Sequence, residues 1–166
     1  KPISDLVANS VDLGLMISAK INGQTVCCIL DTGSTFTLIP YKIWKLLKLN
    51  PSLLDCSVLY NINSASHKVK DAVLGRISLP FQITNSEGEI QSIFQTCLIL
   101  KEPLDLQYVL LGNDFLTANT VNISYNLDSK IVSINKQNVK MLQPTAISNM
   151  VDIFSTTIKK ISHKCK

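Results

Sequence analysis

The stretch Thr25-Val26-Cys27-Cys28-Ile29-Leu30-Asp31-Thr32-Gly33-Ser34-Thr35-Phe36-Thr37-Leu38-Ile39-Pro40 sets one carboxylate between two apolar, strand-forming runs. A strand that delivers an acid into a sharp turn places charge where burial threatens it. Desolvating an ion costs several kcal/mol, a large share of the net stability of a small domain, so stability alone does not account for Asp31. Gly33, two residues on, lets backbone approach the carboxylate closely, and Thr32 and Ser34 add a hydroxyl on each side of it. Chemistry is the expected reason for this arrangement.

Working outward, Leu15, Ile17, Ala19 and Ile21 alternate with Met16, Ser18 and Lys20. Asn22-Gly23 is a strong two-residue hairpin turn, so residues 13 to 30 read as two antiparallel strands, the second of which delivers Asp31. After Pro40, apolar residues at 43, 44, 46, 47 and 49 interleave with Lys42, Lys45 and Lys48, which predicts a short amphipathic helix from Tyr41 to Leu49, stopped by Asn50-Pro51, with Trp44 in the core. Residues 56 to 83 read as strand, tip, strand, with Asn63-Ser64-Ala65-Ser66 as the tip. A hairpin follows, with Ile83-Thr84 and Ile90 to Leu100 around the polar turn Asn85 to Glu89. Then come a strand from Tyr108 to Leu111, a helix from Asn113 to Asn119, and a hairpin from Val121 to Ile134 turning at Asn126 to Ser129. Beyond Pro144 the period becomes helical: Ile147, Met150, Val151, Phe154, Ile158 and Ile161 share one face.

A second motif gives the first its meaning. Tyr108-Val109-Leu110-Leu111-Gly112-Asn113-Asp114-Phe115-Leu116 is an apolar strand that ends in glycine and runs at once into a helix. Together with Asp31-Thr32-Gly33-Ser34 it resembles the retropepsin-like aspartic proteases, most closely those of LTR retrotransposons and plant pararetroviruses. The resemblance covers roughly residues 12 to 135. It implies an all-β acid-protease fold: a closed, barrel-like monomer with a flap hairpin, short helices and a C-terminal helical extension. It further implies that the strand ending at Gly112 passes beside the catalytic turn, where the glycine lets the two backbones come close.

The same resemblance supplies roles. Asp31 is expected to be the general acid or base, with one copy from each chain of a homodimer; Thr32 to hydrogen-bond across the dimer; and Gly33 to permit close approach. Ser34 is expected to bond the outer carboxylate oxygen and, with the flap-tip residues Asn63, Ser64, Ala65 and Ser66, to contact substrate. The tip departs from the glycine-rich flaps of small viral members. The implied partners are a second copy and a polypeptide substrate, with no cofactor and no metal. The implied reaction is endoproteolysis of a retroelement polyprotein, in the cytoplasm or inside a virus-like particle. Two other readings stay open: a catalytically silent dimerisation or peptide-binding module of the same fold, and a domesticated cellular protease.

Composition narrows the remaining classes. Five cysteines without paired spacing indicate neither a disulfide framework nor a zinc site and suit reduced thiols. Two histidines and no G-x-S-x-G elbow leave little for a metal centre or a serine hydrolase. No apolar run reaches the ~18 residues of a membrane span. The net charge of +4 is uneven: residues 1–134 carry −1 and residues 135–166 carry +5. Nucleic-acid binding is therefore unexpected for the domain and open only for the tail. The expected organisation is an N-terminal extension (1–11), a protease-like domain (12–135) and a basic, partly helical C-terminal extension (136–166). A chain that starts at Lys1 is expected to be a piece of a longer polypeptide or one cut at a domain boundary.

Overall fold

The computed structural model describes residues 15–57, 62–64, 67–69, 73–101, 107–126 and 129–142. Among the described residues, eleven strands, β1 (Met16–Ile21), β2 (Gln24–Leu30), β3 (Thr37–Ile39), β4 (Ile62–Ser64), β5 (His67–Val69), β6 (Val73–Thr84), β7 (Ile90–Leu100), β8 (Val109–Leu111), β9 (Asn122–Asn126), β10 (Ser129–Ile134) and β11 (Gln137–Val139), are joined by two short α-helices, α1 (Tyr41–Leu47) and α2 (Asn113–Ala118). Six of the strands close a barrel in the order β1-β2-β8-β3-β7-β6. β9, β10 and β11 form a separate sheet, and β4 pairs with β5 as an independent hairpin. The all-β, barrel-forming expectation holds.

The first hairpin forms because Asn22 and Gly23 both accept positive φ (49° and 76°), the backbone twist that a two-residue turn demands. Its register runs from Met16↔Ile29 to Ile21↔Gln24. The Asn22 amide also donates to the Leu47 carbonyl at 2.8 Å, tying this turn to the end of α1. That helix buries Ile43, Trp44, Leu46 and Leu47 as expected. It ends two residues earlier than the apolar spacing indicates, because Lys48 adopts left-handed backbone (φ 52°) and returns its N–H to the Lys45 carbonyl.

β6 is the longest strand and alternates cleanly from Ile77 to Thr84, with Ile77, Leu79, Phe81 and Ile83 inward. Pro80 is a local signal for a break, yet the strand runs through it. Pro80 is exposed, and beyond β7 the outer edge of β6 pairs with β1 only at Lys20↔Gln82, so the missing N–H has few bonds to disrupt. The final sheet extends further than the sequence indicates. β11 pairs with β10 (Val132↔Val139) and buries Val139 in the core, so the boundary expected between residues 135 and 136 falls on the turn of a hairpin. Asn135 and Lys136 both take positive φ there without a glycine to announce the turn. The N-terminal extension (1–11) and the helical face from Ile147 onward lie outside the described residues.

The core fills the barrel, with Ile17, Ile21, Val26, Cys28, Ile39, Phe81, Ile99, Val109, Leu111 and Phe115 all fully buried. Phe81 and Phe115 pack with ring centroids 6.4 Å apart, joining β6 to α2 across the interior. A satellite cluster of Met16, Cys27, Ile29 and Tyr108 gathers on the other face of β2. Within it the Tyr108 hydroxyl is buried with no hydrogen-bond partner among the described residues, and desolvation pushes its ionisation upward. An unpaired buried hydroxyl destabilises. Tyr108→Phe is accordingly expected to leave stability unchanged or raise it by about 1 kcal/mol, read from urea unfolding, and a loss of that size would show that the hydroxyl is satisfied in solution.

Candidate active site

Asp31 follows the last residue of β2, and three bonds define its place. Its N–H donates to the Leu111 carbonyl (2.9 Å), its carbonyl accepts from the Ser34 N–H (3.2 Å), and its Oδ1 accepts from the Gly33 N–H (2.9 Å). The carboxylate is half-buried, and Oδ2 accepts no bond among the described residues. One oxygen is therefore fixed and the other is open.

The turn is held from below by the second motif. β8 runs parallel to β2 with Ile29↔Leu110 and Leu30↔Leu111 in register, and α2 starts immediately after it. Asn113 donates twice to the turn, from its N–H to the Ser34 carbonyl and from its side-chain amide to the Thr32 carbonyl, both at 2.8 Å. The Asp114 N–H reaches the Thr35 carbonyl at 3.2 Å. These contacts require Gly112, because a Cβ there would stand 2.4 Å from the Phe36 carbonyl oxygen and 2.8 Å from that of Ser34. The close approach expected of this glycine is present, against backbone that has no flexible end to move.

Asp114 is the residue that the sequence reading passed over. Its Oδ1 accepts from the Thr37 hydroxyl (2.8 Å) and the Phe115 N–H (2.7 Å), and its Oδ2 from the Thr37 N–H (3.2 Å) and the Gln95 side chain (2.9 Å). One carboxylate thus joins β3, β7 and α2 at the exit of the Asp31 turn. Thr37 is fully buried and Gln95 nearly so, and both are satisfied here. The available signal was a polar Thr37 and Gln95 at inward positions of apolar strands, which need a partner when buried.

The candidate residues then separate. Asp31, Thr32, Gly33 and Ser34 form one turn. Ser34 departs from its expected role: its hydroxyl donates to the Phe36 carbonyl at 2.7 Å, so its one hydrogen is not available to the Asp31 carboxylate. Asn63 and Ser64 lie in β4, paired with Lys68 and His67, which leaves two residues between the paired ends. Those two, Ala65 and Ser66, lie outside the described residues. An apolar patch also emerges beside the turn. Ile29, two residues before Asp31 on the same side of β2, pairs with Leu110 of β8, which pairs with Leu38 of β3. Uninterrupted apolar runs in these strands concealed which residues face the site and which face the core.

The flap hairpin is anchored at its base by Asp55 and Arg76, which exchange backbone bonds (2.8 and 3.0 Å) and an ion pair of 3.0 Å. Two bonds from Ser57, side chain and backbone, and then the Arg76 guanidinium lower the Asp55 pKa below its usual value of 3.8. The thiols behave oppositely: burial pushes Cys27 up to about 11 and raises Cys28 and Cys97 well above the ordinary range, which leaves them unreactive.

A closed barrel that presents one half-open carboxylate on a glycine turn, braced by a second glycine-to-helix motif, defines an aspartic-protease fold of the single-turn kind. The model of the family described as "gag-polyprotein putative aspartyl protease" matches residues 17–118, well over half the chain, and the chain belongs to that family. Among solved structures, the retroviral protease-like domain of Ddi1 from Leishmania major is similar with a TM-score of 0.54 and 18% identity, covering 78% of this chain and 94% of that one. A retropepsin-like aspartic protease from Rickettsia conorii matches with a TM-score of 0.47 and 16% identity over 76% and 83% of the two chains. No match was found among curated protein sequences. The fold is retropepsin-like.

Two expectations follow from the geometry. Gly112→Ala should destabilise the domain by about 3 kcal/mol, since the added methyl meets main chain; calorimetry showing a loss below about 1 kcal/mol would mean that the two backbones are not in contact. Because the pKa of Asp55 is lowered on folding, its contribution is complete above the unfolded value near 3.8 and is lost as pH falls through the lower folded value. Protection factors in β4 and β5, exchange rates corrected for the intrinsic pH dependence, should therefore be unchanged from pH 7 to pH 5 and should fall only below pH 4, with Asp55→Asn removing that acid-dependent step.

Proposed function

We propose that this chain is an aspartic endopeptidase, active as a homodimer in which each subunit contributes one Asp31, and that it processes a retroelement polyprotein. The observation that supports this most directly is the state of Asp31: one oxygen is fixed by the Gly33 N–H and the other is without a partner among the described residues. Hydrolysis without a metal or a covalent intermediate needs one group to take a proton from water and another to donate to the scissile carbonyl. Two carboxyls do both, because like charges at close range cannot both ionise readily and so share a proton. The chain carries one Asp-Thr-Gly turn, so a two-fold axis is the economical way to bring a second.

Thr32 supports the same reading. It is exposed at the turn and borders an open depression of about 450 Å³ shared with Asn113, Leu116, Val121 and Ile123, a surface suited to contact with a second copy. Ile29, Leu38 and Leu110 offer apolar walls for an extended substrate, over which the β4–β5 hairpin closes. The reaction takes place in the cytoplasm or within a virus-like particle. No cofactor takes part.

The test is cleavage of a polyprotein segment by the purified chain, with and without pepstatin. Asp31→Asn is expected to reduce the rate by at least about 10³-fold, specific activity to rise with protein concentration through dimerisation, and the optimum to lie on the acid side. An Asp31→Asn variant that cleaves as fast as the parent, or activity independent of concentration and highest in alkali, would remove the proposal.

A further inference from the structure

β2 and β8 divide their side chains between two faces. Val26, Cys28, Val109 and Leu111 belong to the barrel core, whereas Cys27, Ile29, Tyr108 and Leu110 gather on the other side, the side that Asp31 shares as the next position in the period after Ile29. Register carries this second face across neighbouring strands. Leu38 pairs with Leu110, Leu110 with Ile29 and Ile29 with Met16, and the Met16 carbonyl accepts from the Leu142 N–H. Leu142 packs against the same cluster, so the apolar face beside the acid is half-buried at Leu38 and Leu110 and fully covered at Met16, Cys27 and Tyr108.

Tyr108 is only 1% exposed, and its hydroxyl has no hydrogen-bond partner among the described residues. Phenylalanine would fill the same space without desolvating a hydroxyl, so packing alone does not explain a tyrosine here. The cluster supplies no strong acceptor, since Met16, Ile29, Leu110 and Leu142 offer hydrocarbon and one thioether. An acceptor must therefore arrive with a ligand. An extended polypeptide brings one main-chain carbonyl per residue, and with its reacting bond at Asp31 it lies against this face. Cys28 pairs with Val109, which sets Tyr108 level with Cys27. Four residues of β2 separate that level from Asp31, a distance of about 13 Å, which an extended peptide covers in about four residues.

We infer that the Tyr108 hydroxyl is a substrate-binding donor, held for a main-chain carbonyl of a bound polypeptide remote from the cleaved bond, and that Leu142 moves aside to admit it. This role rests on the reading of the Asp31 face as a peptide-binding face. Leu142 is the movable part of the cover: it is half-buried and is tied to β1, on the edge away from β2, by the bond from its N–H to the Met16 carbonyl. The strands beneath it are fixed by their pairing in the closed barrel. A donor placed this far from Asp31 makes binding depend on substrate length, because only a peptide that extends past the apolar walls reaches it.

The experiment compares the full chain with its Tyr108→Phe variant, which keeps the ring and its packing, on a short and a long peptide from one polyprotein segment. The short one extends about two residues and the long one about five residues to each side of the cleaved bond, so that only the long one spans the distance to Tyr108. The advantage of the long peptide in kcat/KM is expected to shrink about fivefold in the variant, the effect of one lost hydrogen bond. Equal losses on both peptides, or none, would overturn the inference and leave the endopeptidase reading intact. Binding of the long peptide to the Asp31→Asn chain supplies a readout that needs no cleavage: adding Tyr108→Phe is expected to raise Kd about fivefold, and the Leu142 amide to exchange faster when the peptide is bound. That binding pattern in a chain that cleaves neither peptide would support the Tyr108 role and remove the endopeptidase reading. A Leu142 amide slowed or unchanged by the peptide would overturn the displacement, and neither cleavage nor binding would overturn both.

Discussion

The structure depends on one contact between main chains: the Gly112 backbone lying against the carbonyls of Ser34 and Phe36, with no room for a side chain between them. This contact allows β8 to run beside β2 up to the last residue before the turn and lets the first amides of α2 reach the turn's carbonyls. The Asp31 turn thus has its backbone acceptors at 32, 34 and 35 satisfied by a neighbouring element and not by water. A turn fixed in this way holds the carboxylate through a single N–H, that of Gly33. Position comes from the backbone, and the side chain is left with one oxygen unpartnered among the described residues.

The division between structural and reactive polar groups follows the same logic. Asp114 accepts four hydrogen bonds from Thr37, Gln95 and Phe115, so all its capacity is spent on joining three elements. Asp31 accepts one side-chain bond and keeps an oxygen unpartnered among the described residues. The two acids are brought into one region by the Gly112 contact, yet their hydrogen-bond count separates their roles. Both are half-buried; the one with four donors is stabilised as a tie point, whereas the one with an oxygen unpartnered among the described residues keeps acceptor capacity for a ligand. The three buried thiols are excluded from such chemistry, because burial keeps them protonated.

Much of this was legible in the residues. Asn22-Gly23 sets the first turn, the alternation in β1 and β6 sets their inward faces, and the two glycine motifs set which strands meet. What was not legible had physical causes. β2, β3 and β8 are apolar on both faces, so period-two reading could not tell the core side from the side bearing Ile29, Leu38 and Leu110. The turn at Asn135-Lys136 uses two non-glycine residues at positive φ, and β11 was therefore read as tail. The Ser34 hydroxyl had two acceptors within reach in principle, its own turn's carbonyl or the carboxylate. Only the turn's geometry selects the former.

The base of the flap repeats the device used at the catalytic turn. Gly75 sits where β6 slips register against β7, and a Cβ there would lie 3.1 Å from Leu54 Cβ and 3.2 Å from the Asp55 carbonyl oxygen. Main chain again meets main chain through a glycine, and paired backbone bonds between Asp55 and Arg76 close the contact. The consequence differs because of what lies beyond it. At Gly112 the contact leads into a helix packed on the core through Phe115, whereas at Gly75 it leads to a two-stranded hairpin that pairs only with itself among the described residues. An isolated two-stranded hairpin is marginally stable in water, so β4 and β5 contribute little stability of their own. One close-contact glycine thus braces the turn that carries the acid, and the other braces the Asp55–Arg76 pairing.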